Sequence, residues 1–379
     1  MKGQMTVGAQ STHRPESALL VVNRPSGNGR TADEIDRLQA AFEDCFRTVA
    51  HRAFAVAEGH DEVAIRTREF LATAKSPCVL LSGGGGGTNR ALVQGYLESV
   101  ESGAVCMDDV RISSLRLGSG NLIPKHFGLP RDPLEGMQSI SASLDAGQSR
   151  PCCVYRCVLH YPGGATQRHY GLTMGGLGQF GRVPRDVQRW RDRHRRLMRR
   201  AIHVTPLEAI NTFQYAAFSV LRALRCIARP ERAERVEIRQ GCRRDRFRLF
   251  GGILLNFDFP QLPFGGGCGI GEPRLALLCI PCEGRGPVLR ALLDWRNLDR
   301  FIRKYEITPE APIEIEFLDG GQTTLALDED TFTAPARIGF EIAAVIRFVA
   351  GAPAVYAAPL NRPPIAARRV STRQTQGAS

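Results

Sequence analysis

Five consecutive glycines and a threonine, Gly83 to Thr88, follow directly on the apolar run Cys78–Leu81. Glycine lets a ligand approach the backbone with no Cβ in the way. A strand that ends in such a turn and passes into a helix aims free N–H groups and the positive helix end at one point, which is a phosphate site on physical grounds. No Gly-Lys-Ser/Thr follows, so the turn is not a P-loop, and it lacks the GxGxxG spacing of dinucleotide folds. Two further turns share its character, Asn23-Arg24-Pro25-Ser26-Gly27 and Gly118-Ser119-Gly120-Asn121. Near the other end of the chain, Leu327-Asp328-Glu329-Asp330 concentrates carboxylates.

Elements with the right periodicity surround these residues. Ala18–Val22 reads as a buried strand, and Thr31 caps a helix with Ile35, Leu38, Ala41 and Phe42 on one face. Arg47–Val56 reads as the next strand and Glu62–Ala74 as the next helix. Cys78–Leu81 and Val110–Leu117 are further strands, with a helix through Ala91, Leu92, Val93 and Leu97 between them. Such alternation predicts an α/β domain on a parallel sheet, with the three turns converging beyond the carboxyl ends of the strands. From Pro151 the pattern changes to short strand-like runs: Cys153–His160, Arg168–Gly175, Phe247–Phe257, Leu275–Ile280, Ile313–Phe317, Thr324–Leu327 and Ala344–Val349. These predict a β-rich second domain. The expected boundaries are a disordered leader over 1–16, the α/β domain over 17–148, the β-rich domain over 149–360 with a helical insertion at 186–226, and a disordered tail over 361–379.

Three turns in this order resemble those of the diacylglycerol kinase and sphingosine kinase-like lipid kinases, which are related to the NAD kinases. Asn23 to Gly27 resembles that family's NPxSG turn, Gly84 to Thr88 falls where it has GGDGT, and Arg116 to Asn121 resembles PLGTGN. Leu327 to Asp330 sits where those kinases carry LDGE. The resemblance implies a three-layer α/β domain followed by a β-sandwich, with ATP between them and Mg²⁺ on its phosphates. It further implies that Asn23, Ser26, Gly27, Gly84, Gly85, Gly86, Gly87, Thr88, Gly118, Ser119, Gly120 and Asn121 cradle the nucleotide. Asp328 and Asp330 become the catalytic acids, and a lipid hydroxyl, of diacylglycerol or a sphingoid base, becomes the acceptor. Three positions depart from the pattern: Gly86 replaces the aspartate of GGDGT, Ala91 a glutamate in the helix, and Leu122 an aspartate after GTGN. The expectation is therefore a lipid kinase or, alternatively, a non-catalytic relative that binds nucleotide or lipid. Asp108 or Asp109 is a candidate replacement carboxylate. A NAD kinase-like enzyme also fits the glycine turn.

The chain has 379 residues, and 50 Lys and Arg against 38 Asp and Glu give a net charge of +12. This composition excludes a disordered or fibrous protein and favours anionic partners. Nine arginines between Arg182 and Arg200 precede an apolar stripe at Ile210, Phe213, Ala217, Phe218, Leu221 and Leu224. That pairing suits an anionic membrane surface. No nucleic-acid-binding motif accompanies it. His126, His160, His169 and His194 have no metal-ligand spacing, and the eleven cysteines read as reduced thiols. The polar N-terminus has no signal-peptide core, and Ile338–Leu360 is too interrupted to span a bilayer. Together these predict a cytoplasmic protein with peripheral membrane contact.

Overall fold

The computed structural model describes residues 14–27, 29–194, 207–229, 233–258, 267–294, 300–318, 320, 323–333 and 335–351. The expected leader up to residue 13 and the expected tail lie outside them.

The first four strands are parallel. Ser17–Asn23 (β1) lies between His51–Ala57 (β2) and Cys78–Gly84 (β3), and Val110–Arg116 (β4) follows β3. With a neighbour on each side and helices above and below, β1 and β3 are buried along their whole length. This is why they read as continuous apolar runs. Ala32–Cys45 (α1) packs with Pro133–Asp145 (α5), while His60–Leu71 (α2) packs with Gly86–Glu101 (α3), giving a helix layer on each face of the sheet. Thr31 caps α1 and forms a reciprocal capping box with Glu34. Leu122–His126 (α4) is a short helix after β4.

The C-terminal domain is antiparallel and strand-rich. Arg150–His160 (β5) pairs with Thr166–Gly171 (β6) and with the long Arg337–Phe348 (β15). From β15 the sheet continues through Ile313–Phe317 (β12), Glu234–Gln240 (β8), Arg243–Leu255 (β9), Met174–Gly178 (β7), Thr324–Leu327 (β13) and Asp330–Thr333 (β14). Leu275–Pro281 (β10) adds to β9, and Arg303–Ile307 (β11) adds to β10. Tyr155, Leu159, Ile238, Leu277, Ile315 and Leu327 share its core. At its far end β15 runs parallel to β4, with Arg347 opposite Arg111 and Phe348 opposite Ile112. One hydrogen-bonded sheet therefore passes through both domains.

Several elements differ from the sequence expectation. The strand expected at Arg47 starts at His51, because Arg52 donates to the carbonyls of Phe46 and Arg47 and holds a turn there. The single run Arg168–Gly175 is two strands, parted where the main chain at Leu172, Thr173 and Met174 donates to Asp328. The last strand begins at Arg337 rather than Ala344; Gly339 and Glu341 interrupt its apolar pattern, and Glu341 faces outward onto Arg156. The helical insertion comprises Val183–Arg193 (α6) and Leu207–Ala228 (α7), starting three residues earlier than expected. A further helix, Arg285–Leu293 (α8), packs against α7.

Candidate functional site

The three glycine turns meet at the carboxyl end of the parallel strands. A Cβ on Gly118 would overlap Gly85 Cα, so the turns after β3 and β4 pack backbone against backbone. Asn121, itself at φ 50, closes its turn by accepting from Gly118 N and donating from Nδ2 to Gly118 O, both at 2.8 Å, with Ser119 and Gly120 between them. Asn23 Nδ2 donates to Thr88 Oγ1 at 3.0 Å and ties the first turn to the start of α3. Its side-chain oxygen is buried with no partner, an acceptor facing the site. Arg30 reaches across to the Leu117 carbonyl at 2.6 Å, beside Gly27. Gly85 is the N-cap of α3; no side chain caps that helix, and its first turn holds no acid. Gly84 to Thr88 thus presents uncompensated helix N–H groups, and the Ser26 and Ser119 hydroxyls stand beside them. The expected cradle residues are brought together.

The opposite wall is the β13–β14 hairpin. Leu327 pairs with Asp330, leaving Asp328 and Glu329 as a two-residue turn with φ of 47 and 85. Positive φ at both positions is what a type I′ hairpin requires, and glycine is the favoured residue at the second. A side chain held there costs on the order of 1 kcal/mol. Asp328 is buried and accepts from Leu172 N at 2.7 Å, Thr173 N at 2.9 Å, Met174 N at 3.2 Å and the Thr173 hydroxyl. Burial raises its carboxyl above the ordinary range, against the pull of those donors. Three donors converge on its Oδ1 and one on its Oδ2, which fixes the hairpin to the segment that leads into β7.

Asp330 faces α2 and α3 across the cleft. Its Oδ2 receives Arg90 Nε at 2.7 Å, and its Oδ1 meets His60 Nδ1 at 2.8 Å. Burial would raise the Asp330 carboxyl, but His60 and Arg90 outweigh it and hold the group below its ordinary range. A Cβ on Gly87 would overlap the His60 ring, so glycine at 87 makes room for this contact. Phe332 lies under Arg90 at 5.8 Å and beside the His169 ring at 4.1 Å. Burial and Arg90 push His169 down to about 4, so it is neutral at physiological pH.

Glu329 points the other way, towards the glycine turns. Its carboxylate accepts from Ser119 Oγ at 3.4 Å and lies 3.6 Å from where a Cβ on Gly85 would be. Ser26 Oγ and Gly118 Cα border the same point at 3.6 and 3.4 Å. Water reaches Glu329 although protein surrounds much of it. That crowding raises its carboxyl, with Arg191 of α6 and Ser119 opposing. Arg222 joins α7 to α6 through Asp186, and Arg191 Nε donates to Gln214 at 2.8 Å. The insertion therefore flanks the cradle as one unit.

Residues 17–152 match the family model described as the Diacylglycerol kinase catalytic domain. That match spans the N-terminal α/β domain. Its overall fold is similar to that of a diacylglycerol kinase from Bacillus anthracis str. Sterne, with a TM-score of 0.53 and 11% identity over 89% of this chain and 98% of the other. A protein of the same organism provisionally named a diacylglycerol kinase gives 0.56 and 14% over 89% and 98%, and another gives 0.54 and 13% over 90% and 99%. At these identities the likeness is one of fold. No curated protein matches the chain in sequence. The chain is thus similar to that catalytic domain over residues 17–152 and to these structures in its two-domain fold.

Within this site, the donor set does not suit a divalent cation. Asp328 is buried and takes four N–H and O–H donors, Asp330 is engaged by Arg90 and His60, and Gly86 offers no oxygen ligand from a side chain. Among the described residues, no three His, Cys, Asp or Glu side chains form a metal-binding group. Asp108 and Asp109 do not replace the missing acid: they lie in a short turn before β4, at the opposite end of the strand from the cradle, and Asp108 faces Arg347. The anion-binding half of the site does fit a phosphate, through the uncapped start of α3 and the two serine hydroxyls. Sequence reasoning missed His60, Arg90, Glu329 and Arg191. The glutamate at 329, where LDGE has glycine, was the one local signal.

Proposed function

We propose that the protein is a nucleotide-binding, membrane-associating relative of the lipid kinases that does not carry out their magnesium-dependent phosphoryl transfer. The observation that carries this reading is the state of the two acids that the resemblance singles out: Asp328 accepts four hydrogen bonds and Asp330 is engaged by Arg90 and His60, so neither stands open to a metal or a substrate hydroxyl. The cradle formed by Asn23, Ser26, Gly27, Gly84, Gly85, Gly86, Gly87, Thr88, Gly118, Ser119, Gly120 and Asn121 supports phosphate binding through main-chain N–H groups and hydroxyls. ATP is the nucleotide that the resemblance implies. Phosphate binding itself needs no carboxylate.

A lipid surface is the second half of the reading. On α7 and α8 the apolar side chains Phe213, Val220, Leu221, Leu224, Leu289 and Leu293 are exposed, Phe213 and Leu293 by 74% and 77%. Of the apolar stripe expected on the insertion, Phe213, Ala217, Leu221 and Leu224 are exposed, and Ile210 and Phe218 are half-buried. Exposed Arg225, Arg229, Arg285 and Arg290 flank it, which suits an anionic bilayer. Of the arginine-rich segment, Arg195, Arg196, Arg199 and Arg200 lie outside the described residues. Among the described residues no helix is long and apolar enough to cross a membrane.

An ATP-dependent lipid kinase acting on diacylglycerol or a sphingoid base is the competing reading, favoured by an acid at 330, where LDGE ends in one. Transfer of γ-labelled phosphate from ATP with Mg²⁺ to vesicles holding both acceptors and an anionic phospholipid separates the two. The expected result is measurable ATP binding, sedimentation with anionic vesicles at low salt, and no labelled lipid. A labelled lipid that disappears in Asp330→Asn would establish the kinase instead.

A further inference from the structure

We propose that Glu329 is an internal anion seated in the phosphate cradle, where it competes with nucleotide phosphates and so sets the affinity of the site. This inference rests on the nucleotide-binding reading above and deepens it.

Three independent features converge on Glu329. The first is conformational: position 329 is the second residue of a two-residue hairpin turn at φ 85, where a residue with a Cβ is unfavourable, and yet a long acidic side chain stands there. The second is placement. Its carboxylate receives the Ser119 hydroxyl at 3.4 Å and rests 3.6 Å from the Cβ position of Gly85, at the point that Ser26 Oγ and Gly118 Cα also border. That is where the uncapped start of α3 directs its positive end. The third is charge. The first turn of α3 carries no acid, position 86 is glycine, and Arg191 faces Glu329 from the insertion. An aspartate at 86 and a glutamate at 329 would place two acids at the start of α3; this chain has only the second.

An anion site built for phosphate thus already holds a carboxylate belonging to the chain. Water reaches the side chain, so it can leave by rotamer change alone, without movement of the hairpin backbone. A phosphate ligand binds the fraction of molecules in which Glu329 has swung away, and its apparent affinity falls by that fraction. Ligands without phosphate are not penalised.

The test is calorimetric titration of the full chain with ATP, inorganic tripolyphosphate and adenosine in the absence of divalent metal. It compares the wild type with Glu329→Gln, which keeps size and backbone strain, and Glu329→Gly, which relieves the strain. Removal of one like charge within a few ångströms of an anionic ligand in a water-accessible cleft is expected to tighten ATP and tripolyphosphate about tenfold in both variants. Adenosine should be unchanged, and Glu329→Gly should unfold at higher temperature than the wild type, reporting an intact fold. ATP affinity of Glu329→Gln within twofold of wild type overturns the inference while leaving nucleotide binding in place. An equal gain for adenosine also overturns it, because the effect would not be at the phosphates. No binding of ATP or tripolyphosphate by any of the three overturns the nucleotide reading and the inference together.

Discussion

Arg90 and Asp330 join the two domains across the cleft, and their separation has a calculable effect. Arg90→Met keeps the stem that packs over Phe332 and removes the guanidinium, leaving Asp330 with His60 alone. The side chains are 8% and 21% exposed, so the pair is largely withdrawn from water. Breaking a fully buried pair costs roughly 3–5 kcal/mol, and the partial exposure of Asp330 brings the expected loss to about 2 kcal/mol. In a chain of this size that is about 2.5 °C in the unfolding midpoint. Asp330→Asn alone should cost a similar amount, because it strands Arg90. The double variant should cost little more than either, giving a coupling of about 1.5 kcal/mol in urea unfolding. The pH dependence has a fixed sign. The Asp330 carboxyl is held below its ordinary value, so its contribution is present above the unfolded value near 4 and is lost as pH falls through the lower folded value. Arg90→Met should therefore lose less stability on acidification than wild type does. Additive single effects, with coupling under about 0.5 kcal/mol, would refute the assignment of this pair as an interdomain tie.

Two other substitutions test the site. Gly118→Ala places a methyl group against Gly85 Cα and should separate the two turns; an overpacking cost of about 1–3 kcal/mol and loss of ATP binding in a still-folded protein are expected from thermal melts and titration. His169 has its folded value pushed down to about 4, so the unfolded chain binds the extra proton between about 6.5 and 4 and stability falls as pH drops through that window. His169→Gln should flatten the melting temperature over this range, as scanning calorimetry at stepped pH would show.

What was legible in the sequence was local. The glycine turns, the Thr31 cap and strands such as Ile313–Phe317 are each fixed by neighbours within a few residues, and each appears where its residue types place it. Contacts that define the acid side of the site are not local. Arg90 meets Asp330 across 240 residues and His60 meets it across 270, and neither residue carries a motif of its own. Asp328 read as a chemical acid because carboxylates near phosphates usually are. Its four donors come from 154 to 156 residues earlier in the chain, and they make it a structural post instead. The split of Arg168–Gly175 into two strands has the same cause. The apolar stripe on the insertion was visible as a period, but periodicity alone does not say whether a stripe faces a core or solvent.

The strand that crosses from one domain to the other also governs how a ligand gets in. Because β15 is hydrogen-bonded to β5 and β12 along one part and to β4 at its end, swinging the domains apart like jaws would tear a continuous backbone ladder. On the helix side, the insertion is tied to β8 through Arg182 and Glu234 and within itself through Arg222 and Asp186, and it carries the exposed apolar side chains. The sheet side of the cleft is therefore fixed by main-chain hydrogen bonds. Arg191 of the same pair of helices stands beside Glu329, so on the reading proposed above the helices that would meet a bilayer also border the nucleotide cradle.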